Sequence, residues 1–510
     1  MKSIKILFFV LALAMGLSSC SSSWLDTELT GAALSQDQYD NLPGTAEGSV
    51  LGLYSMLYNS TSNHDYFGQK SIDIATDILS GDMAMTANAY GWFTDCEQQQ
   101  CATMTAGRNS YIWSYYYTII LNANAAIRSF VALENPTAEQ KSALAQCLTM
   151  RAYCYFNLAH LYSPGLTDTE SKDYFLGNSG LDYLCIPVYN ENSAVNPETG
   201  LVVEQQVVST STVYEQIVSD LNWAVALFQE TGFQRSSKLY VNEDVANAYL
   251  AYTYLQSQQY DSAYVVAKRV IDAGNFEIMP YENLTTTGFT DQNDPSWMWA
   301  LDVTIENTTA LASFWGHMDI HTYSYAFAGA TKAMDDVLFK SIPETDGRIN
   351  WFDANKKCIA DYKFYDKARG VQADEIDRRW LNDVVFMRIE EMYLVAAEAA
   401  ARAGKMTESK DVLKALLAER DETIMATIDG MSNDALLDNI YYNWRVELYG
   451  EGRALMTFKR FGGSKLRGNN HYYKAGEQMQ AVDDPSNPVL LFIIPYGEYT
   501  NNLANTELKK

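Results

Sequence analysis

Two stretches of the chain carry apolar residues at helical spacing on either side of a short break, and this pattern restricts the fold more than any other feature. From Asp244 to Ala273, Ala246, Tyr249, Leu250, Thr253 and Tyr254 recur at helical intervals. A polar turn follows at 256–259, and Tyr260, Ala263, Ala267, Val270 and Ile271 resume the stripe. From Arg388 to Leu417, Ile389, Met392, Tyr393, Ala396 and Ala400 form one stripe and Gly404 closes that helix. Val412, Leu413, Leu416 and Leu417 form the next. Each stretch predicts a helical hairpin whose small alanines, set beside tyrosine and leucine, let two helix axes approach closely.

Alanine knobs facing aromatic holes are the arrangement of tetratricopeptide-like repeats. Further helices are predicted at Thr45 to Tyr58, Tyr111 to Phe130, Thr137 to Tyr162 and Thr212 to Phe228, at irregular intervals. The expected fold is therefore mainly α, a partial solenoid of tetratricopeptide-like hairpins interrupted by long irregular insertions that carry small strands. The insertions are 59–109, 163–211 and 281–380, which show no clear periodicity. Loops of that length in a compact protein are commonly functional. Within the third, Trp297 and Trp299 alternate with Ser296 and Met298 as in a strand with one buried face.

At the N-terminus, Lys2 and Lys5 precede the apolar run Ile6 to Leu17, and Leu17-Ser18-Ser19-Cys20 ends it. This is the layout of a secretory signal peptide with a lipoprotein processing site, and the run is too short to span a bilayer permanently. Residues 1–19 are expected to be the leader and Cys20 the lipidated first residue, anchoring the body to the outside of a membrane through several acyl chains. The 63 acidic against 37 basic side chains, a net charge of −26, argue against nucleic acid as a partner, because that binding is driven by Lys and Arg. Beyond Cys20, six cysteines are too sparse for a disulfide scaffold. Cys96 and Cys101 are the one pair close enough in sequence for a local bridge, while Cys147 and Cys154 read as buried small hydrophobes on a helix.

No Gly-x-Ser-x-Gly elbow, Gly-x-Gly-x-x-Gly or phosphate loop occurs. His317 and His321 are four apart, but Met318 stands where a zinc-protease helix needs glutamate. The flanking residues read as loop or strand, where such a pair does not converge. Glu390-Glu391 and Asp335-Asp336 read as solvated helix faces, and Glu398 with Arg402 as an i,i+4 pair. Asp73, Asp77 and Asp82 offer calcium-type ligands without the spacing of a calcium loop, so a helix with polar turns is the simpler expectation. No catalytic residue, no metal ligand and no cofactor are predicted, calcium being the one candidate.

Two aromatic clusters remain. Tyr90, Trp92 and Phe93 lie in a polar loop with Asn88, Asp95 and Glu97; Trp315, His317, Tyr323, Tyr325 and Phe327 lie between Asn307 and Gly329. A sugar presents a C–H face that packs on an aromatic ring and hydroxyls that need amide or charged partners, and each cluster supplies both. The predicted ligand-binding residues are Asn88, Tyr90, Trp92, Trp315, His317, Tyr323 and Tyr325. The competing expectation is that these rings are core for small strands.

Several fragments in order resemble the SusD/RagB family of Bacteroidetes outer-membrane nutrient-binding lipoproteins. They are Trp24 to Glu28 after Cys20; Gly48 to Tyr54 and Ser71 to Gly81 with Asp77; Trp113, Tyr117, Ile120 and Asn124; and Arg151 to Leu158. Tyr214, Ile217, Asp220 and Leu221 continue the match, as do Asp346 and Arg348, Arg388 to Ala399, Glu447-Leu448, Glu451-Gly452, Lys459-Arg460, Gly462 and Ile494-Pro495. In the last part Ala454 and Thr457 replace an Arg and an Asp of the family pattern, and Asn443-Trp444 replace a Glu-Arg pair, which should alter local packing only. The resemblance implies an N-terminal SusD-like helical region at 20–280 and a C-terminal RagB/SusD-like region at 281–510. It also implies a cell-surface lipoprotein, not an enzyme, that captures oligosaccharides and delivers them to a SusC-like TonB-dependent outer-membrane transporter. A branch of the family binds peptides, which makes peptide capture the alternative; a lipid-anchored glycan hydrolase is the third.

Overall fold

Helix ends in this chain are set by side chains that satisfy the orphan N–H groups of the first turn. The computed structural model describes residues 45–58, 61, 63–164, 182–308, 310–368, 379–462, 467–473, 488–502 and 504; the expected signal peptide, Cys20 and Trp24 to Glu28 lie outside them. Residues 49–510 form one compact unit and residues 1–48 another, of which only 45–48 are described. Thr137 and Gln140 make a reciprocal capping box at the start of Ala138–Tyr162. Ser209 caps Thr210–Thr231 by accepting from Thr212 N, and Asn242 caps Glu243–Gln256 by accepting from Val245 N. Gly404, at φ +76°, follows Ile389–Arg402 in the left-handed conformation that glycine adopts without strain.

The helices expected from periodicity are all present: Thr45–Ser55 with its 3-10 continuation Met56–Tyr58, Gly107–Val131, Ala138–Tyr162, Thr210–Thr231, and the two hairpins Glu243–Gln256/Tyr260–Asp272 and Ile389–Arg402/Met406–Leu417. The hairpins pack on each other through Tyr260–Asp272 and Ile389–Arg402, with Ala263, Ala267, Ala396 and Ala400 buried. An aromatic seam joins Ala138–Tyr162 to the first hairpin, Tyr153 meeting Tyr249 at 5.4 Å and Phe156 meeting Tyr252 at 5.7 Å between ring centroids. Such pairs add about 0.5–1.5 kcal/mol each beyond their buried area. Among the described residues no helix is long and apolar enough to cross a membrane.

Trp297 and Trp299 do lie on a strand, Trp297–Leu301, paired antiparallel with Val384–Arg388. Both of its faces are covered, however, because Trp299 packs against Tyr153 and Tyr249 on the helices and against Phe386 on its partner strand. A four-stranded sheet is ordered Met83–Met85, Lys332–Met334, Ile359–Ala360, Phe352–Asp353. Its first pairing, Met83 opposite Met334 and Met85 opposite Lys332, ties the first insertion to the third.

Of the expectations about charged residues, one holds and others are corrected. The first insertion holds the expected helix, Gln69–Ser80, but it is buried along its whole length, so its polar residues face protein rather than water. Asp73 takes Lys70 at 2.8 Å, Asp77 accepts from the backbone N–H groups of Gly452 and Ala454, and Asp82 pairs with Arg445 at 2.7 Å, so the three carboxylates serve different partners. Gly452 is required there, since a Cβ would stand 2.5 Å from the Asp73 carboxyl. Glu390, Glu391 and Asp335 are buried, not solvated. Glu390 joins a network in which Arg348, Arg388 and Arg420 surround Glu447 at 2.8–3.1 Å, with Glu451 and Lys363 beside them. Burial opposes the charge on Glu447, but Arg420, Arg388 and Arg348 together outweigh it and hold the carboxyl well below its ordinary range. Asn443, one of the departures from the family pattern, accepts from Arg348 at 2.8 Å and so belongs to the same network.

Candidate functional site

Beyond the Met83–Met85/Lys332–Met334 pairing the two chains stay together, Thr86 N donating to the Thr331 carbonyl at 3.0 Å and Ala89 N to that of Gly329 at 2.8 Å. The aromatic loop of the first insertion is thereby laid against that of the third. Tyr325 is the hub: its ring centroid lies 5.2 Å from Tyr90, 5.6 Å from Trp92 and 5.1 Å from His317. His64 stacks on Trp92 at 5.3 Å and 24°, and its Nδ1 is hydrogen-bonded to the Tyr325 hydroxyl. Tyr90 is 47% exposed, His64 is exposed and Trp92 is half-buried, so the outer layer presents rings to solvent.

The platform is shaped by a reversal of the chain in which Gly91 and Phe93 both take positive φ, 74° and 59°. For a bulky residue that conformation is strained and persists only when its surroundings impose it. Here the Phe93 N–H donates to Asp65 Oδ2 at 3.0 Å, and the Arg108 guanidinium and Lys332 ammonium lie 4.8 and 5.2 Å from the ring centroid. Arg108 in turn holds Asp65 at 2.5 Å and Asp95 at 2.8 Å, so both carboxylates beneath the loop are engaged.

The structure separates the predicted residues into three groups. Tyr90, Trp92 and Tyr325 meet in one cluster with Asn88 on the same loop. Trp315 and His317 are corrected to core. Trp315 is 2% exposed on the short helix Phe314–Met318 and donates its indole N–H to the Asn382 carbonyl at 3.0 Å. His317 is fully buried, stacked on Phe67, with Nε2 donating to the His64 carbonyl at 2.9 Å and Nδ1 accepting from Lys332 at 3.1 Å. Burial and then Lys332 hold its imidazole neutral, well below the ordinary histidine range. Lys332 itself is pushed down to about 7 by burial. His321 lies past the helix end and bonds Asp361, away from His317. Tyr323 and Phe327 form a separate exposed pair, 5.9 Å between centroids. Cys96 and Cys101 are buried free thiols, not a disulfide. Among the described residues no group of three or more His, Cys, Asp or Glu is placed to hold a metal ion.

Two polar atoms at the platform, Trp92 Nε1 and Asn88 Oδ1, are buried and lack a partner among the described residues. Buried polar groups are nearly always satisfied, so a donor and an acceptor left over beside exposed rings suit a ligand with both C–H faces and hydroxyls. His64 and Lys332 were not found from the sequence. Neither belongs to a motif, and each acquires its role only when the sheet joins the two insertions.

Two family models match consecutive parts of the chain. One, SusD-like_3, described as starch-binding associating with outer membrane, matches residues 51–255; the other, SusD_RagB, the SusD family, matches residues 255–490. No curated protein matches the sequence at a significant level. Solved structures share the fold. A SusD-like carbohydrate binding protein from Bacteroides vulgatus superposes with a TM-score of 0.75 at 21% identity, over 91% of this chain and 97% of that one. A SusD superfamily protein from Bacteroides thetaiotaomicron gives 0.71 at 19%, over 92% and 99%. One from Parabacteroides distasonis gives 0.61 at 16%, over 90% and 98%. With the paired helical hairpins, the buried arginine–glutamate network and both models together spanning 51–490, the chain belongs to the SusD/RagB family.

Proposed function

We propose that this protein is a cell-surface glycan-binding lipoprotein, anchored to the outer membrane through Cys20, that captures oligosaccharides and passes them to a SusC-like TonB-dependent transporter. The observation that carries the reading is the convergence of Tyr90, Trp92 and Tyr325, with His64, into one partly exposed platform bordered by unpaired polar atoms. Ring faces take the C–H surface of a sugar, and Trp92 Nε1 and Asn88 Oδ1 take hydroxyls. The family description, starch-binding and outer-membrane-associated, supports the ligand class and the location. The carboxylates beneath the loop are both paired with Arg108, which supports binding without hydrolysis. No cofactor takes part in this reading.

A glycan array and a labelled peptide library, each probed with residues 21–510, test the ligand class. Retention of defined oligosaccharides with no peptide retained is the expected result; retention of peptides alone overturns the glycan reading. Detergent extraction of the full-length protein should bring down a TonB-dependent barrel, and recovery as a monomer, where other outer-membrane complexes survive, counts against delivery to such a partner.

A further inference from the structure

Away from the platform, and lined by none of its residues, a cleft of about 780 Å3 opens in the helical scaffold. It lies where the end of Thr210–Thr231 and the start of Glu243–Gln256 meet the turn after Tyr260–Asp272 and the segments flanking Trp297–Leu301. Its size falls within the roughly 300–1,000 Å3 of small-molecule sites. Its wall is preformed. Arg235 donates to the Met298 carbonyl at 2.7 Å and to that of Tyr240 at 3.1 Å, Lys238 Nζ donates to the Asp294 carbonyl at 2.6 Å, and Ala300 N donates to the Lys238 carbonyl at 3.0 Å.

The chemistry of the lining narrows the occupant. Arg235 and Lys238 face three carboxylates, Glu243, Asp244 and Asp302, and both cations already hold backbone carbonyls, so the cleft is not built for an anion. Neutral amides are the commonest polar residues instead, and three of them are fixed at one end only. Gln292 accepts from Ser237 Oγ at 2.9 Å and Lys238 N at 3.1 Å, which leaves its amide N–H groups. Asn275 donates to Asp244 at 3.0 Å and Asn293 to Asp291 at 2.9 Å, which leaves their carbonyl oxygens. Half-buried Phe233, stacked on Phe228 at 5.6 Å, and half-buried Phe276, under the Arg235 guanidinium, add apolar ring surface. Oriented donors and acceptors together, beside phenyl faces and without net positive charge, match groups that both donate and accept. We propose that this cleft is a second saccharide site, taking a short neutral oligosaccharide independently of the platform.

The inference rests on the glycan-binding reading, and the experiment separates the two. Maltotetraose, cellotetraose, xylotetraose and mannotetraose are titrated calorimetrically, with saturation-transfer NMR, into the soluble wild-type chain, Trp92→Ala, Ser236→Trp and the double variant. Ser236 is an exposed residue of the lining, so a tryptophan there fills the cleft without removing any of its bonds; Phe276→Ala with Asp302→Ala serves as the second cleft variant. Two bound molecules per wild-type chain are expected for at least one tetrasaccharide. One should remain in each single variant with a tenfold or greater loss at the altered site, and none in the double. Loss of all binding in Trp92→Ala, or unchanged stoichiometry in both folded cleft variants, overturns the cleft site and leaves the platform standing. Loss of all binding in the cleft variants with none in Trp92→Ala keeps the cleft and overturns the platform, and no binding to folded wild-type protein overturns both.

Discussion

Trp92 and Tyr325 come from different insertions and meet at 5.6 Å with their ring planes at 63°, an edge-to-face contact that exists only because Met85 is registered opposite Lys332. The aromatic platform is thus a product of sheet pairing rather than of any contiguous motif. Trp315, eight residues before Tyr323 and equally aromatic in the sequence, is core.

That difference is measurable. Trp315→Ala removes a buried indole and strands the Asn382 carbonyl, and should cost about 3–5 kcal/mol of stability. Saccharide affinity, measured below the melting transition, should stay within about twofold of wild type. A folded, stable variant with a large affinity loss would instead return Trp315 to the site.

The arginines around Glu447 have no solvent to fall back on, since Arg348, Arg388, Arg420 and Glu447 are all fully buried. Arg420→Met leaves Glu447 and Glu390 short of a partner and should destabilise by about 3–5 kcal/mol in urea denaturation. A change under about 1 kcal/mol would show that the remaining arginines suffice.

Much of the scaffold is legible in the sequence because hairpins such as 244–273 bury one stripe of alanine and tyrosine, and a 3.6-residue period follows directly. Gln69–Ser80 is legible as a helix from its polar stripe of Asp73, Thr76, Asp77 and Ser80, but its burial on every side is not, because such a stripe normally faces water. Glu390 and Glu391 mislead for a related reason, because adjacent acids normally point to water and here arginines distant in sequence neutralise them. At the site, the types of residue are legible but their sorting is not. Trp315, His317 and Tyr325 lie in one connection between Trp297–Leu301 and Lys332–Met334, and only the packing of that connection puts the first two in the core and the third beside Trp92; His64 carries no local signal at all.

Asp77 supplies a pH signature. Burial raises its carboxyl from 3.8 to about 7, against the lowering effect of the Gly452 and Ala454 N–H groups. Between those values the native state holds a proton that the unfolded state has released, so its stabilising contribution is full below about 4 and is lost as pH rises through about 7. Relative to Asp77→Asn, the wild type should therefore lose stability from pH 4 to 7 by up to about 1.4 kcal/mol per unit. Urea midpoints for both proteins across that range check it, and a constant difference between them would refute the assignment.

The proposed membrane attachment rests on Leu17 to Cys20. Cys20→Ala should abolish incorporation of labelled palmitate and release the protein from membranes. Undiminished labelling of that variant would remove the anchor from the account.

The decisive measurement is isothermal titration of an array-selected oligosaccharide into soluble wild type and Trp92→Ala. Stacking on Trp92 predicts a loss of about 1–3 kcal/mol, roughly fivefold to over a hundredfold in Kd, with the melting temperature little changed. Unaltered affinity in the folded variant would contradict the placement of the glycan on the Tyr90–Trp92–Tyr325 platform.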